Sequence, residues 1–253
     1  MEDLAMSRQH AIALLAFFAA MAPAHAQTPP ALPPGDRPPV IDVHLHSGPA
    51  AGFGQRIDEL DRHNVVLRLV SGALADAQAW AAADPKRFWA GVLFPCPGGR
   101  MPTGGPQCFP DGAEFPSLDY LRDEFGAGRL RLLGEITAQY AGLSPADPAL
   151  EPYFALAEEL DVPVAIHLAL APPETPYKCC PRFRAALGNP VLLEEVLIRH
   201  PKLRVFVMHA GQPYLAEMQA LMLVYPQVYV DIGAISLTSV LPRTAFYDHL
   251  QGL

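Results

Sequence analysis

Val40-Ile41-Asp42-Val43-His44-Leu45-His46 sets two histidines two residues apart at the end of an apolar, β-branched run. Such residues suit a strand, and side chains at i and i+2 of a strand leave on one face. Imidazole is the commonest protein ligand for zinc-like ions, so the pair supplies half of a four-coordinate site. A His-x-His pair alone is weak evidence. Two later runs end in the same way, Val164-Ala165-Ile166-His167 and Val205-Phe206-Val207-Met208-His209. Four histidines at the carboxyl ends of three strands describe a metal centre at the mouth of a parallel barrel.

The rest of the chain alternates strand-like runs with helical patterns, as repeated βα units do. Strands are expected at Val40–His46, Val65–Gly72, Phe88–Pro95, Leu130–Ile136, Pro163–Leu170, Val205–Gly211 and Val228–Ile235. Helices are expected at Arg56–Arg62, Ala73–Ala83, Leu118–Glu124, Ala149–Leu160, Pro190–His200, Tyr214–Tyr225 and from Arg243 onward. Asp147-Pro148 opens one helix and His200-Pro201 closes another. The longest connections follow the third and fifth strands and are expected to cover the mouth. The expectation is therefore an α/β chain forming a (β/α)8 TIM-type barrel over 40–253, truncated after seven strands. An open sheet of this kind leaves the first and seventh strands with unpaired edges, which leaves homo-oligomerisation open.

The front of the chain reads differently. Ala11 to Ala24 is small and apolar, Arg8 precedes it, and Ala24-His25-Ala26 offers a cleavage site before Gln27. Residues 1–26 are expected to be a secretory signal peptide, too short in its apolar core for a stable membrane span. Residues 27–39 follow as a proline-rich lead-in. The expected location is periplasmic or secreted. A net charge of −8, with no long run of either sign, argues against nucleic acid as a partner and leaves a small-molecule substrate. The four cysteines, Cys96, Cys108, Cys179 and Cys180, lack zinc-ribbon spacing. In an oxidising compartment they read as disulfides, either a Cys96–Cys108 staple or a bridge between the two loops, with free structural thiols as the alternative.

Asp42-Val43-His44-Leu45-His46, Gly134-Glu135-Ile136, His167, His209-Ala210-Gly211 and Val230-Asp231 together resemble the metal-dependent amidohydrolase superfamily, in its amidohydrolase family 2 branch. The resemblance implies a barrel whose metal is held by the first-strand pair and by histidines of the fifth and sixth strands. It also implies an eighth-strand aspartate that helps activate water; no position here matches it. Hydrolases, lactonases and non-oxidative decarboxylases are all members.

Each candidate residue has a role suggested by its type and place. His44, His46, His167 and His209 are the expected metal ligands, with His209 also a candidate acid/base. Asp42, His44 and His46 are expected to face the barrel interior while Ile41, Val43 and Leu45 face the helices. Asp42 then sits deeper and is expected to fix an imidazole tautomer. Glu135 ends a strand and either bridges two ions or supports substrate. Asp231 either supports the ligands or serves structure. Gln139, Tyr140, Tyr177 and Gln212 follow strand ends and are expected to face substrate. His63, His200 and His249 fall at helix ends and are expected at the surface. The cofactor expected is one or two divalent ions, zinc foremost. The reaction expected is attack of metal-activated water on an amide, ester or lactone carbonyl. Non-oxidative decarboxylation is the runner-up chemistry, and a catalytically incomplete barrel the non-enzymatic alternative.

Overall fold

A computed structural model describes residues 38–48, 53–102, 105–235 and 242–253. The expected signal peptide and nearly all of the lead-in lie outside the described residues. Everything described belongs to one compact unit, Arg37–Leu253.

Seven parallel strands form one sheet in chain order, β1 to β7. They are β1 Val40–His46, β2 Val65–Ser71, β3 Phe88–Phe94, β4 Leu132–Ile136, β5 Val164–His167, β6 Val205–Met208 and β7 Val228–Val230. Between and after them run α1 Phe53–Arg62, α2 Leu74–Ala83, α3 Leu118–Gly126, α4 Glu151–Glu159, α5 Thr175–Lys178, α6 Glu194–Arg199, α7 Leu215–Val224 and α8 Arg243–Gly252. The architecture is that of a (β/α)8 barrel with seven strands among the described residues. Such a parallel sheet must be buried on both faces, which explains why its strands read as near-continuous apolar runs.

Two apolar layers follow from the pleat. Outward-facing Val70, Phe88, Val92, Leu133, Ile166 and Val207 pack against helix residues such as Leu74, Trp80, Leu121 and Phe154. The inner layer is built from strand residues alone: Leu69, Leu132, Ala165, Phe206 and Met208, with Val43, Leu67 and Trp89 against them. Val43 therefore faces the barrel interior, not the helices as strict alternation from His44 requires. The register of β1 against β2 shifts between Asp42 and Leu45, and that irregularity inserts the residue that reverses the parity.

Several strands are shorter than the apolar runs that suggested them. β6 stops at Met208 because His209 and Ala210 take positive φ values of 59° and 50° and turn the chain into a 3-10 segment. β7 stops at Val230, and Ala234, at φ 59°, turns the chain again. Non-glycine residues pay for such backbone angles with strain, and they concentrate at sites where a side chain must be aimed. The helix read as continuous over Pro190–His200 is a 3-10 turn, Pro190–Leu193, opened by the Asn189 side chain on the Val191 N–H and followed by α6. Among the described residues no helix is long and apolar enough to cross a membrane.

Candidate metal centre

The carboxyl ends of β1, β4 and β6 bring His44, Glu135 and His209 together, each offering a ligand atom within 4.8 Å of the others. Their surroundings decide which atom each can offer. His44 Nδ1 lies 3.1 Å from Asp231 Oδ2 and 3.2 Å from Oδ1. His209 Nδ1 donates to the Gly233 carbonyl at 2.7 Å. With both Nδ1 atoms engaged, both Nε2 atoms remain for an ion, the outer hydrogen bond fixing tautomer and ring orientation. Asp231 is the hub of this support. It also accepts the His209 backbone N–H at 3.1 Å and the Gly233 N–H at 2.8 Å.

His46 and His167 flank the three. The half-exposed His46 ring sets Nε2 3.5 Å from Glu135 Oε2. His167 is buried, its ring centroid 4.7 Å from that of His209, and its Nδ1 has no hydrogen-bond partner within the protein. A buried imidazole nitrogen left unpaired is costly. Two oriented imidazoles and a carboxylate within 4.8 Å of one another, with this orphaned nitrogen on the ring beside His209, fit a divalent ion with nitrogen and oxygen ligands.

The charges agree with that fit. Burial pushes His167 down to about 4, against the pull of Glu135, so it stays neutral at pH 7. Burial, reinforced by His44, also lowers His209. For Glu135 burial alone would raise the pKa, but the four imidazoles, led by His46 and His44, hold it below the ordinary carboxylate value. Burial likewise works against Asp231, and the His44 hydrogen bond with the two backbone N–H groups overcomes it. Burial also works against the charged form of His44, but the Asp231 hydrogen bond and the charges of Glu135, Asp231 and Asp42 overcome it and raise its pKa. A bound cation has to displace that proton, whereas His167 and His209 already favour the neutral form that ligates metals.

The expected residues divide on inspection. Asp42 does not fix a tautomer: its Oδ1 accepts the His44 backbone N–H at 3.0 Å, and Asp231 holds the imidazole instead. The shifted β1 register takes Asp42 out of line with the ring. Tyr140 and Gln212 line a cavity of about 720 Å³ together with His46, Glu135, His167 and His209. Gln139 does not face it. That side chain is fully buried, and its Nε2 donates to the Ala169 carbonyl at 2.8 Å, tying the turn after β4 to the loop after β5. Tyr177, 90% exposed on α5, also lies off the cavity.

His200 and His249 are buried, not at the surface. His200 is clamped between Glu158 and Glu151 at 3.0 and 2.9 Å, and His249 Nε2 lies 3.1 Å from the Ala210 carbonyl. Cys96 is bonded to Cys108 and Cys179 to Cys180, so no bridge joins the two loops. A second hollow, about 520 Å³, lies between α2, β3 and α3 and holds none of the histidines; Glu124 there is already engaged by Gln78 and Arg129.

Two residues at the centre escaped the sequence reading. Ser71 ends β2, and its Oγ donates to the Gly134 carbonyl at 2.5 Å, fixing the backbone that presents Glu135. Its signal was available, since it ends a strand as the histidines do. Gly233 lies against the His44 ring so closely that a Cβ there would come within 2.5 Å of Nδ1. Its place two residues beyond Asp231 was the only sign.

A parallel barrel with histidines and carboxylates gathered at the carboxyl ends of its strands defines a class, the TIM barrels, whose sites sit at that mouth. The sequence narrows it: residues 7–251 match the amidohydrolase family, and the chain belongs to that family. No curated protein matches the chain at a significant level. Among solved structures, an uncharacterized TIM-barrel protein from Bordetella bronchiseptica superposes with a TM-score of 0.54 at 16% identity, covering 80% of this chain and 67% of that one. A probable 2-pyrone-4,6-dicarboxylic acid hydrolase from Acinetobacter baumannii gives 0.52 at 15% identity, covering 83% and 75%. At these identities the likeness is one of fold.

Proposed function

We propose that the protein is an exported metal-dependent hydrolase of amide, ester or lactone carbonyls. The observation that carries the reading is the convergence of His44, Glu135 and His209 within 4.8 Å, with Asp231 and the Gly233 carbonyl engaging both Nδ1 atoms. When bound there, a divalent ion, zinc by the donor set, lowers the pKa of water and polarises a carbonyl oxygen. His44 and His209 would hold the ion through Nε2, with Glu135 as the carboxylate ligand and His46 and His167 completing the shell. Glu135, which lines the cavity, is the carboxylate placed to accept a proton from the attacking water, while Asp231 acts through His44. The net reaction adds water across the acyl C–O or C–N bond, the hydroxyl going to carbon and the hydrogen to the leaving group. Tyr140, whose phenol burial and then Glu135 keep protonated, lines the cavity as a hydrogen-bond donor to substrate. The cleavage pattern Ala24-His25-Ala26 and the Cys96–Cys108 pairing support export.

Metal analysis of the purified protein by plasma mass spectrometry tests the reading. It should carry one divalent ion, or two if Glu135 bridges, and the double change His44→Ala with His46→Ala should remove it. Stoichiometric metal in that variant would overturn the assignment. Product analysis keeps the chemistry separate, because decarboxylation releases CO2 and hydrolysis does not.

A further inference from the structure

The cavity over the candidate centre has a divided lining. Its polar members, His46, Glu135, Thr137, Tyr140, His167, His209 and Gln212, come from the ends of the strands or the turns that follow them. The rest of the wall is apolar: Leu93 from β3, Met101 and Pro102 from the loop after it, 169–173 (Ala-Leu-Ala-Pro-Pro) from the loop after β5, and Ala234 with Ile235 after β7. Leu170 keeps nearly half of its surface open there, and Ile235 is buried. Among the described residues, neither lysine nor arginine lines this cavity.

Three basic side chains on the covering loops are committed elsewhere. Lys178 pairs with Glu174, Arg182 with Glu114 at 2.6 Å, and Arg184 donates to the carbonyls of Pro181 and Phe183. Arg100 is exposed, in a short antiparallel bridge with Gln107. The stretches 49–52, 103–104 and 236–241 contain no lysine or arginine in their sequence, and Arg56 is the one basic residue of 53–56 at the start of α1. A carboxylate carried into such a wall would lose its hydration without gaining an ionic partner, while a hydrocarbon group would gain from leaving water.

We propose that the substrate is uncharged and apolar beyond the carbonyl that reacts: an aliphatic or aromatic ester, lactone or amide whose hydrocarbon part lies against Leu93, Met101, Leu170, Pro172 and Ile235. This rests on the metal-hydrolase reading and sharpens it. It places the reacting group over the histidines and Glu135 and the hydrophobic part against the loops after β3 and β5.

Two hydroxamic acids of equal chain length test the proposal, because both present the same head group to a metal and differ at the far end. Calorimetric titration of the zinc-loaded full chain should show octanohydroxamic acid binding at least about tenfold more tightly than suberic acid monohydroxamate, which ends in a carboxylate. In Leu170→Arg the gap should close or reverse at unchanged zinc content, because the new guanidinium supplies the missing partner. Zinc uptake with equal or tighter binding of the carboxylate-terminated compound overturns the inference and leaves the metal reading standing. Failure to take up zinc at all overturns both.

Discussion

Two groups of histidines in this barrel are partnered in opposite ways. On the outer layer, His200 has both ring nitrogens engaged, by Glu158 and Glu151 of α4. At the mouth, His44 and His209 each have one nitrogen engaged, by Asp231 or the Gly233 carbonyl, and the other turned toward the cluster with Glu135. The difference separates a histidine that staples two elements from one held ready to bind something. In the first, the imidazole is consumed by the fold; in the second, the fold spends only the nitrogen needed to aim it.

Breaking the support at the mouth should give the largest effect. Asp231→Asn keeps an oxygen that can accept from the His209 and Gly233 N–H groups but removes the charge facing His44 Nδ1. Metal affinity should fall about 10- to 100-fold, with a modest fall in the thermal midpoint of the metal-free protein, since the depressed Asp231 carboxylate also contributes stability. Calorimetric metal titration alongside a thermal melt reads both quantities. Unaltered affinity would mean that Asp231 does not orient the ligand.

The matching change on the outer layer should show the reverse pattern. His200→Leu removes both clamped hydrogen bonds and should cost about 1–3 kcal/mol of stability. At about 2–4 °C per kcal/mol for a domain of this size, a melt resolves it readily. Metal affinity should not move. A variant that loses metal as well would erase the distinction between the two groups.

The smallest effect is on acid stability. Burial works against the ionised forms of Glu151 and Glu158, but Arg199 and His200 for the first, and the Lys202 N–H and His200 for the second, hold both below the ordinary carboxylate value. A depressed carboxylate contributes stability that is complete above its unfolded pKa, about 4.3, and is lost as pH falls through the folded value. Denaturant melts of metal-free protein at descending pH should therefore show a stability loss beginning near pH 5. In His200→Leu the loss should be shallower, because part of the stabilisation of each carboxylate is already gone. An identical slope in both proteins would show that His200 does not stabilise these carboxylates.

Much of this was legible in the sequence, for reasons that differ by residue. All seven strands announced themselves, because a sheet buried on both faces requires continuous apolar runs. Their ends did not: Ala210, Gly211, Ile232 and Ile235 prolong the apolar pattern past points where positive φ or a turn takes the chain out of the sheet. The histidines were readable from their place at strand ends. The exchange of roles between Asp42 and Asp231 was not, because alternation within β1 is interrupted by a register shift that depends on β2. Gln139 and Tyr177 share the failing of any residue judged by proximity to a strand end alone. One side chain turned inward to tie two loops together, and the other turned out to solvent.

The bond between His44 and Asp231 spans 187 positions of the chain, from the first strand to the residue following the seventh. Individual βα units can form from near neighbours, but this contact closes a loop far longer than theirs and is made at a correspondingly greater entropic cost. The centre should accordingly be among the last features to appear in refolding, after most of the sheet is in place. Metal added at the start should leave the early collapse unaltered and slow unfolding instead, since it binds only where the end of β1 and the residues after β7 have already met.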